Sequence, residues 1–67
     1  GENTMQDYDF CYEMTDLDGE TVSIYGDDDG PAFVEYFDHD AGERRTRTFE
    51  RGEMQAYSWA YARGYRE

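Results

Sequence analysis

The side chains best suited to nucleophilic chemistry in this 67-residue chain are Cys11, Ser23 and Ser58, and the one imidazole that could serve them is His39. Such catalysis needs a base within hydrogen-bond reach of the nucleophile and a third group that orients the base. His39 stands between Asp38 and Asp40 in an expected loop. Ser23 and Cys11 fall on expected strands and Ser58 in an expected helix, and no nucleophile–base–orienter spacing links them to His39. A chain of this length is also near the lower limit for a self-supporting core. It has little room for a deep substrate cavity and its catalytic shell. These residues point to binding rather than to an enzyme, with no catalytic residue singled out.

Seventeen acids place some carboxylate pair at any chosen distance, so no pair marks itself out for acid–base work. Three acidic loops look calcium-like: Asp16 to Glu20, Asp27 to Gly30, and Asp38 to Gly42. The helix–loop–helix calcium motif wants acids at positions 1, 3 and 5, glycine at 6 and glutamate at 12. None of the three meets that spacing, and all join expected strands, so only weak, adventitious cation binding is expected. Cys11 is the sole cysteine, which precludes an intrachain disulfide and a cysteine-type zinc site. The glycines lie among acids and no glycine-rich loop opens a helix, which argues against a phosphate site. No cofactor and no dedicated metal are expected.

The charge is strongly one-sided. The net charge is −11, and residues 1–43 hold fourteen acids with no Lys or Arg, whereas all six arginines fall in residues 44–67. Such a surface repels nucleic acid and anionic lipid and attracts basic proteins. No stretch is apolar enough to span a membrane, and no basic-then-apolar signal opens the chain. With a single cysteine, a cytoplasmic setting is the natural reading.

The elements that would position these side chains follow from periodicity. One domain spans residues 1–67, with residues 1–6 expected to carry little structure. Tyr8 to Met14 alternates strictly, Tyr8, Phe10, Tyr12 and Met14 on one face, which predicts a half-buried strand. Thr21 to Tyr25 repeats the pattern with Val22 and Ile24. A three-residue loop with Gly19 left-handed pairs Met14 with Val22 and Tyr12 with Ile24, whereas a two-residue turn would mix the faces. Ala32 to Phe37 predicts a third strand, with Phe33 and Phe37 on one side and Val34 and Tyr36 on the other. Arg44 to Phe49 predicts a fourth, its arginines facing neighbouring acids. Glu50 to Glu53 precedes a helix rich in alanine, ended by Gly64 and apolar Tyr65 as a glycine cap. The expected fold is α+β: an antiparallel four-stranded meander followed by one C-terminal helix packed on the sheet.

Met54, Tyr57 and Tyr61 recur at i, i+3 and i+7, and this stripe is read as the helix's core face. Trp59 and Tyr65 lie off it. Trp59 either completes the core, the commoner role in so small a domain, or anchors a partner.

The absence of Lys and Arg from 43 consecutive residues calls for a physical reason. Mixed charge would serve solubility with less self-repulsion, and exclusion makes sense where a face must present an unbroken negative field to a basic groove. Alternate residues on extended chain lie about 6.6–6.8 Å apart on one side, a spacing open to Asp7 and Asp9, to Asp16, Asp18 and Glu20, and to Asp38 and Asp40. The candidate partner-binding residues are Asp16, Asp18, Glu20, Asp27, Asp28, Asp29, Asp38 and Asp40. In a meander the second of their three loops lies at the opposite end from the other two. A continuous face would therefore run along the sheet through Asp9, Glu13 and Glu35, with Tyr25, Phe33 and Phe37 adding apolar contact if their sheet face is open.

In size, acidity and aromatic content the whole chain resembles the small phage-encoded inhibitors of host defence, the anti-CRISPR and anti-restriction proteins. Many of these are short, acidic and built of β-strands plus a helix, and the best understood occupy a DNA channel. The resemblance implies a non-catalytic DNA mimic acting in the host cytoplasm. Its implied partner is a basic nucleic-acid-binding protein, a CRISPR effector subunit or a nuclease. It carries over no individual residue. Two other readings of the acidity stand beside it: adaptation to a haloarchaeal or GC-rich-genome cytoplasm, and a weak calcium-binding interaction module.

Overall fold

The computed structural model describes residues 8–67, and the expectation for residues 1–6 lies outside the described residues. Four strands and one helix follow in the expected order: β1 (Phe10–Thr15), β2 (Thr21–Gly26), β3 (Ala32–Asp38), β4 (Glu43–Phe49) and α1 (Glu53–Ala62). The strands form one antiparallel sheet in the order β1-β2-β3-β4. α1 packs on one face, against β2, β3 and β4. No helix among the described residues is long and apolar enough to cross a membrane.

The first hairpin has the register that alternation demands, with Met14 opposite Val22 and Tyr12 opposite Ile24. Its loop closes by Asp16 N–H donating to the Glu20 carbonyl at 2.9 Å and Gly19 N–H to the Asp16 carbonyl at 3.1 Å. Gly19 sits at φ 87°, the left-handed geometry that the glycine bulge requires. Tyr8 departs from the expected strand. The β1–β2 ladder ends at Phe10↔Gly26, so nothing holds the chain extended before Phe10. It bends at Tyr8 and Asp9. The Tyr8 ring crosses to the other face and rests 5.0 Å from Tyr25 and 6.2 Å from Phe33.

β2–β3 pairing stops at Ser23↔Glu35, whereas β3–β4 pairing continues to Asp38↔Glu43. Arg44 serves the end where β2 and β3 part. Its Nη2 donates to the Glu35 carbonyl at 3.2 Å and the Thr21 carbonyl at 3.5 Å, and its Nε lies 3.8 Å from Glu35 Oε1. The expectation that the fourth strand's arginines face neighbouring acids is met by this contact for Arg44, whereas Arg47 lies over the Phe49 ring at 5.4 Å. The expectation is met again by Arg45, 3.6 Å from Asp38 and 3.4 Å from Glu43. At β1's free edge Thr15 and Arg66 exchange two backbone hydrogen bonds, at 2.8 and 2.9 Å.

The core lies between the sheet and α1: Met14, Val22, Ile24, Ala32, Val34 and Phe49 below, Ala56, Ala60 and Tyr65 above. This corrects the expected helix face. Met54 is 78% exposed and Tyr61 48% exposed, while Tyr57 only edges the core. The buried ridge is Gly52, Ala56 and Ala60, spaced at four residues, with Trp59 flanking it. Physical chemistry favours that ridge. Turning Tyr57 and Tyr61 inward would bury two hydroxyls among aliphatic side chains, whereas alanine buries no polar atom and lets the helix approach closely. Trp59 takes the core-completing role, its ring 5.4 Å from Tyr36 and 5.7 Å from Phe49. Its Nε1 is buried without a hydrogen-bond partner among the described residues. The helix ends as expected. Gly64, at φ 94°, donates to the Tyr61 carbonyl at 3.0 Å and Tyr65 N–H to the Ala60 carbonyl at 3.1 Å.

Gly26 closes β2 where no side chain fits. A Cβ there would meet the Pro31 carbonyl oxygen at 2.6 Å and the Phe10 ring at 3.1 Å. Gly26→Ala is expected to lose about 1–3 kcal/mol in urea unfolding through overpacking. Gly19→Ala, with nothing within 4 Å of the new Cβ, loses only the left-handed strain of about 1–2 kcal/mol. The helix rotation is checked the same way. Ala60→Leu should lose about 1–3 kcal/mol, and Met54→Ser should stay within about 0.5 kcal/mol of the parent. The reverse ranking would place Met54 in the core.

Candidate functional site

The meander divides the eight candidate acids between two ends of the sheet. Asp16, Asp18 and Glu20 in the β1–β2 loop and Asp38 and Asp40 in the β3–β4 loop share one end. Asp27, Asp28 and Asp29 in the β2–β3 loop occupy the other. A strand of six residues rises about 17–20 Å, so the two groups act as separate poles.

At the shared end most carboxylates already have work inside the fold. Asp16 Oδ1 accepts from Asp18 N–H and Glu20 N–H, both at 2.9 Å. Asp38 Oδ1 accepts from Asp40 N–H at 2.9 Å and Ala41 N–H at 3.3 Å. These are aspartates shaping their own turns. His39 Nε2 lies 2.7 Å from Glu20 Oε2 and ties the two loops together. Arg45 partly neutralises Asp38 and Glu43. Asp18 and Asp40 are the exposed acids here with no ion pair among the described residues.

The other end is less compensated. Asp28 N–H donates to Asp9 Oδ2 at 2.9 Å, bringing Asp9 to the β2–β3 loop. Asp28, Asp29, Glu50 and Glu53 line an open cleft of about 500 Å³ with Gly30, Gly52 and Met54, Arg51 being its one base. Asp9, Asp27, Asp28, Asp29, Glu50 and Glu53 thus gather at one pole. None of them has an arginine or histidine nitrogen within 4 Å among the described residues. The N-terminus of α1 opens here, and its positive end favours the gathered charge. Glu50 and Glu53 are the acids that sequence reasoning left out of the candidate surface. Their position at the helix start is the signal that could have found them.

Between the poles the sheet face opposite α1 is open. No strand or helix among the described residues covers it. Tyr25 and Phe33, 5.5 Å apart, sit there under Tyr8, and Phe37 meets His39 edge-on at 5.0 Å. Cys11 is exposed on the same face of β1. The acids do not run unbroken along this face, because Arg44 lies against Glu35. Among the described residues no group of three or more His, Cys, Asp or Glu side chains is placed to hold a metal ion.

Two tyrosines feel the acidity. Burial raises the Tyr12 phenol above its ordinary value of 10.0, and the nearby Glu53 carboxylate raises it further. Burial likewise raises Tyr65, helped by the charges of Asp16 and Glu20. Comparison with known protein families, with curated proteins and with solved structures returned no match.

The phenols set an alkaline limit on stability. Their folded pKa values lie above the unfolded value, so their contribution is fully present below about pH 10. It is lost as pH rises towards the folded values. Phenol ionisation is followed in the near ultraviolet, where tyrosinate absorbs, above about pH 9. Tyr12 and Tyr65 are expected to ionise at higher pH than an ordinary phenol, and urea midpoints should fall from about pH 10 upward. Tyr12→Phe should flatten that fall. Ionisation of Tyr12 at the ordinary phenol value in the folded chain would contradict the assignment.

Proposed function

We propose that the protein is a non-catalytic inhibitor that occupies the basic DNA-recognition surface of a nucleic-acid-handling protein by charge mimicry. A CRISPR effector subunit or a restriction nuclease is the class of partner such a surface fits. The observation that carries this reading is the uncompensated pole of Asp9, Asp27, Asp28, Asp29, Glu50 and Glu53. Carboxylates that serve only solubility gain from interspersed bases, and this pole holds Arg51 alone. Its acids stand on a rigid frame of sheet end and helix start, which limits the entropy lost on binding. Scale supports the reading too. The described body measures 30 × 28 × 20 Å, and 30 Å of duplex carries about 18 phosphate charges. The fifteen described acids offset by six arginines are within a factor of about two of that density. Asp18 and Asp40 at the far end would meet a second part of a long basic channel.

One observation favours a second reading, acidity as adaptation to a salt-rich cytoplasm: the acids populate both ends of the sheet. Salt separates the two. An adapted surface folds poorly at low salt and gains stability in molar potassium chloride. A mimic folds well in about 0.01 M salt and loses its partner as screening shortens the reach of its charges.

The immobilised chain, challenged with host extract at about 0.1 M salt, is expected to retain a basic nucleic-acid-binding protein that excess duplex DNA releases. Asp27→Asn, Asp28→Asn and Asp29→Asn combined should weaken that retention at least about tenfold, with the circular dichroism spectrum unchanged. Capture of nothing, or of a partner indifferent to DNA, rejects mimicry.

A further inference from the structure

Helix α1 is apolar on two sides. Its sheet side is used by Ala56, Ala60 and Trp59. Its solvent side carries Met54, Tyr57, Ser58, Tyr61 and Ala62, spaced at i, i+3, i+4, i+7 and i+8. That is the pattern of a helix face with something packed on it. Met54 is the most exposed member at 78%. Tyr57 and Tyr61 stack with centroids 6.0 Å apart. Beside them Ser58 and Ala62 leave an open groove of about 320 Å³, lined by those four residues alone.

We propose that this face binds a second copy of the chain, helix against antiparallel helix, about a two-fold axis at Ser58. The face is complementary to itself under that operation. Residue 54 then opposes residue 62, so the protruding Met54 of each copy enters the other's groove between Tyr57, Ser58, Tyr61 and Ala62. Large opposite small is what interdigitation needs, and a thioether among aromatic rings is a favourable contact.

Charge selects the antiparallel sense. Glu50 and Glu53 lie at the helix start. Arg63 and Arg66 lie at its end, stacked 4.4 Å from Trp59 and 3.5 Å from Tyr61. Antiparallel packing sets Glu50 of one copy towards Arg66 of the other, whose guanidinium lies over Tyr61 on this face. It also holds the two Asp27–Asp29 poles at opposite ends, whereas parallel packing would press them together. An isologous contact of this kind closes after two copies. A helix of ten residues is about 15 Å long, so the interface falls below about 1,000 Å² and the dimer is weak.

Sedimentation equilibrium of the full chain tests this, from about 10 μM to about 1 mM in about 1 M salt, where charge acts over only about 3 Å. Partner capture through the acidic poles is lost under those conditions, so the two ideas fail separately. A monomer–dimer equilibrium is expected, and Ser58→Arg, at an exposed position, should weaken it at least tenfold with the circular dichroism spectrum unchanged. In a Cys11→Ser background, Ser58→Cys should oxidise to a covalent dimer. Met54→Cys should do so far more slowly, because antiparallel packing holds its two copies about 12 Å apart. Three results overturn the proposal: a monomer at the highest concentration, a Ser58→Arg dimer as strong as the parent, or equal cross-linking at both positions.

Discussion

The close seating of α1 on the sheet is the constraint from which the rest of the arrangement follows. Gly52, Ala56 and Ala60 form a ridge with almost no side chain, and the helix rests on Val22, Ile24 and Val34. A Cβ at Gly52 would lie 3.3 Å from the Gly30 carbonyl oxygen, so the start of the helix is pinned against the β2–β3 loop. At the other end Tyr65 is buried beneath the glycine cap. With both ends held, the rotation of the helix is set. Everything on its far side, Met54 and Tyr61 included, turns to solvent.

The same seating builds the acidic pole. The loop that meets the helix start does so through Asp28, Asp29 and Gly30, and the segment that enters the helix carries Glu50 and Glu53. Two runs of acid far apart in sequence are brought side by side, near backbone N–H groups that have no partner within the helix. At the opposite end the acids are consumed by local work: Asp16 and Asp38 hold their own turns and Glu20 meets His39. The sheet ends therefore differ in kind although both are acidic. One is knitted into hairpins, and the other is offered to solvent.

Five of the six arginines answer acids or cover aromatic rings rather than forming a basic surface. Arg44 and Arg45 answer Glu35, Asp38 and Glu43 along β4. Arg47, Arg63 and Arg66 lie over the rings of Phe49, Trp59 and Tyr61. Edge strand β4 is exposed along nearly all its length, and its charged side chains discourage pairing with another sheet.

Strand number, order and the register of the first hairpin were legible in the chain itself, because alternation is a local signal that a one-residue slip destroys, whereas the registers of β2–β3 and β3–β4 were not. Met14 opposite Val22 and Gly19 in the left-handed position follow from it directly. The helix cap at Gly64 and Tyr65 is local in the same way. The rotation of α1 was not legible. Its residues offer two apolar stripes, and choosing Ala56 and Ala60 over Met54 and Tyr61 depends on how closely a sheet lies beneath and on the burial cost of tyrosine hydroxyls. Nor was the turn of Tyr8 onto the outer face, which depends on where the pairing partner of β1 runs out. The division of the acids into two poles follows from meander topology and was readable. Which pole stays uncompensated was not, because it depends on Asp9, the β2–β3 loop and the helix start meeting in space, and on which arginine reaches which carboxylate. Local periodicity is written in neighbouring residues, whereas helix rotation and charge pairing are decided by contacts between segments that only the folded chain brings together.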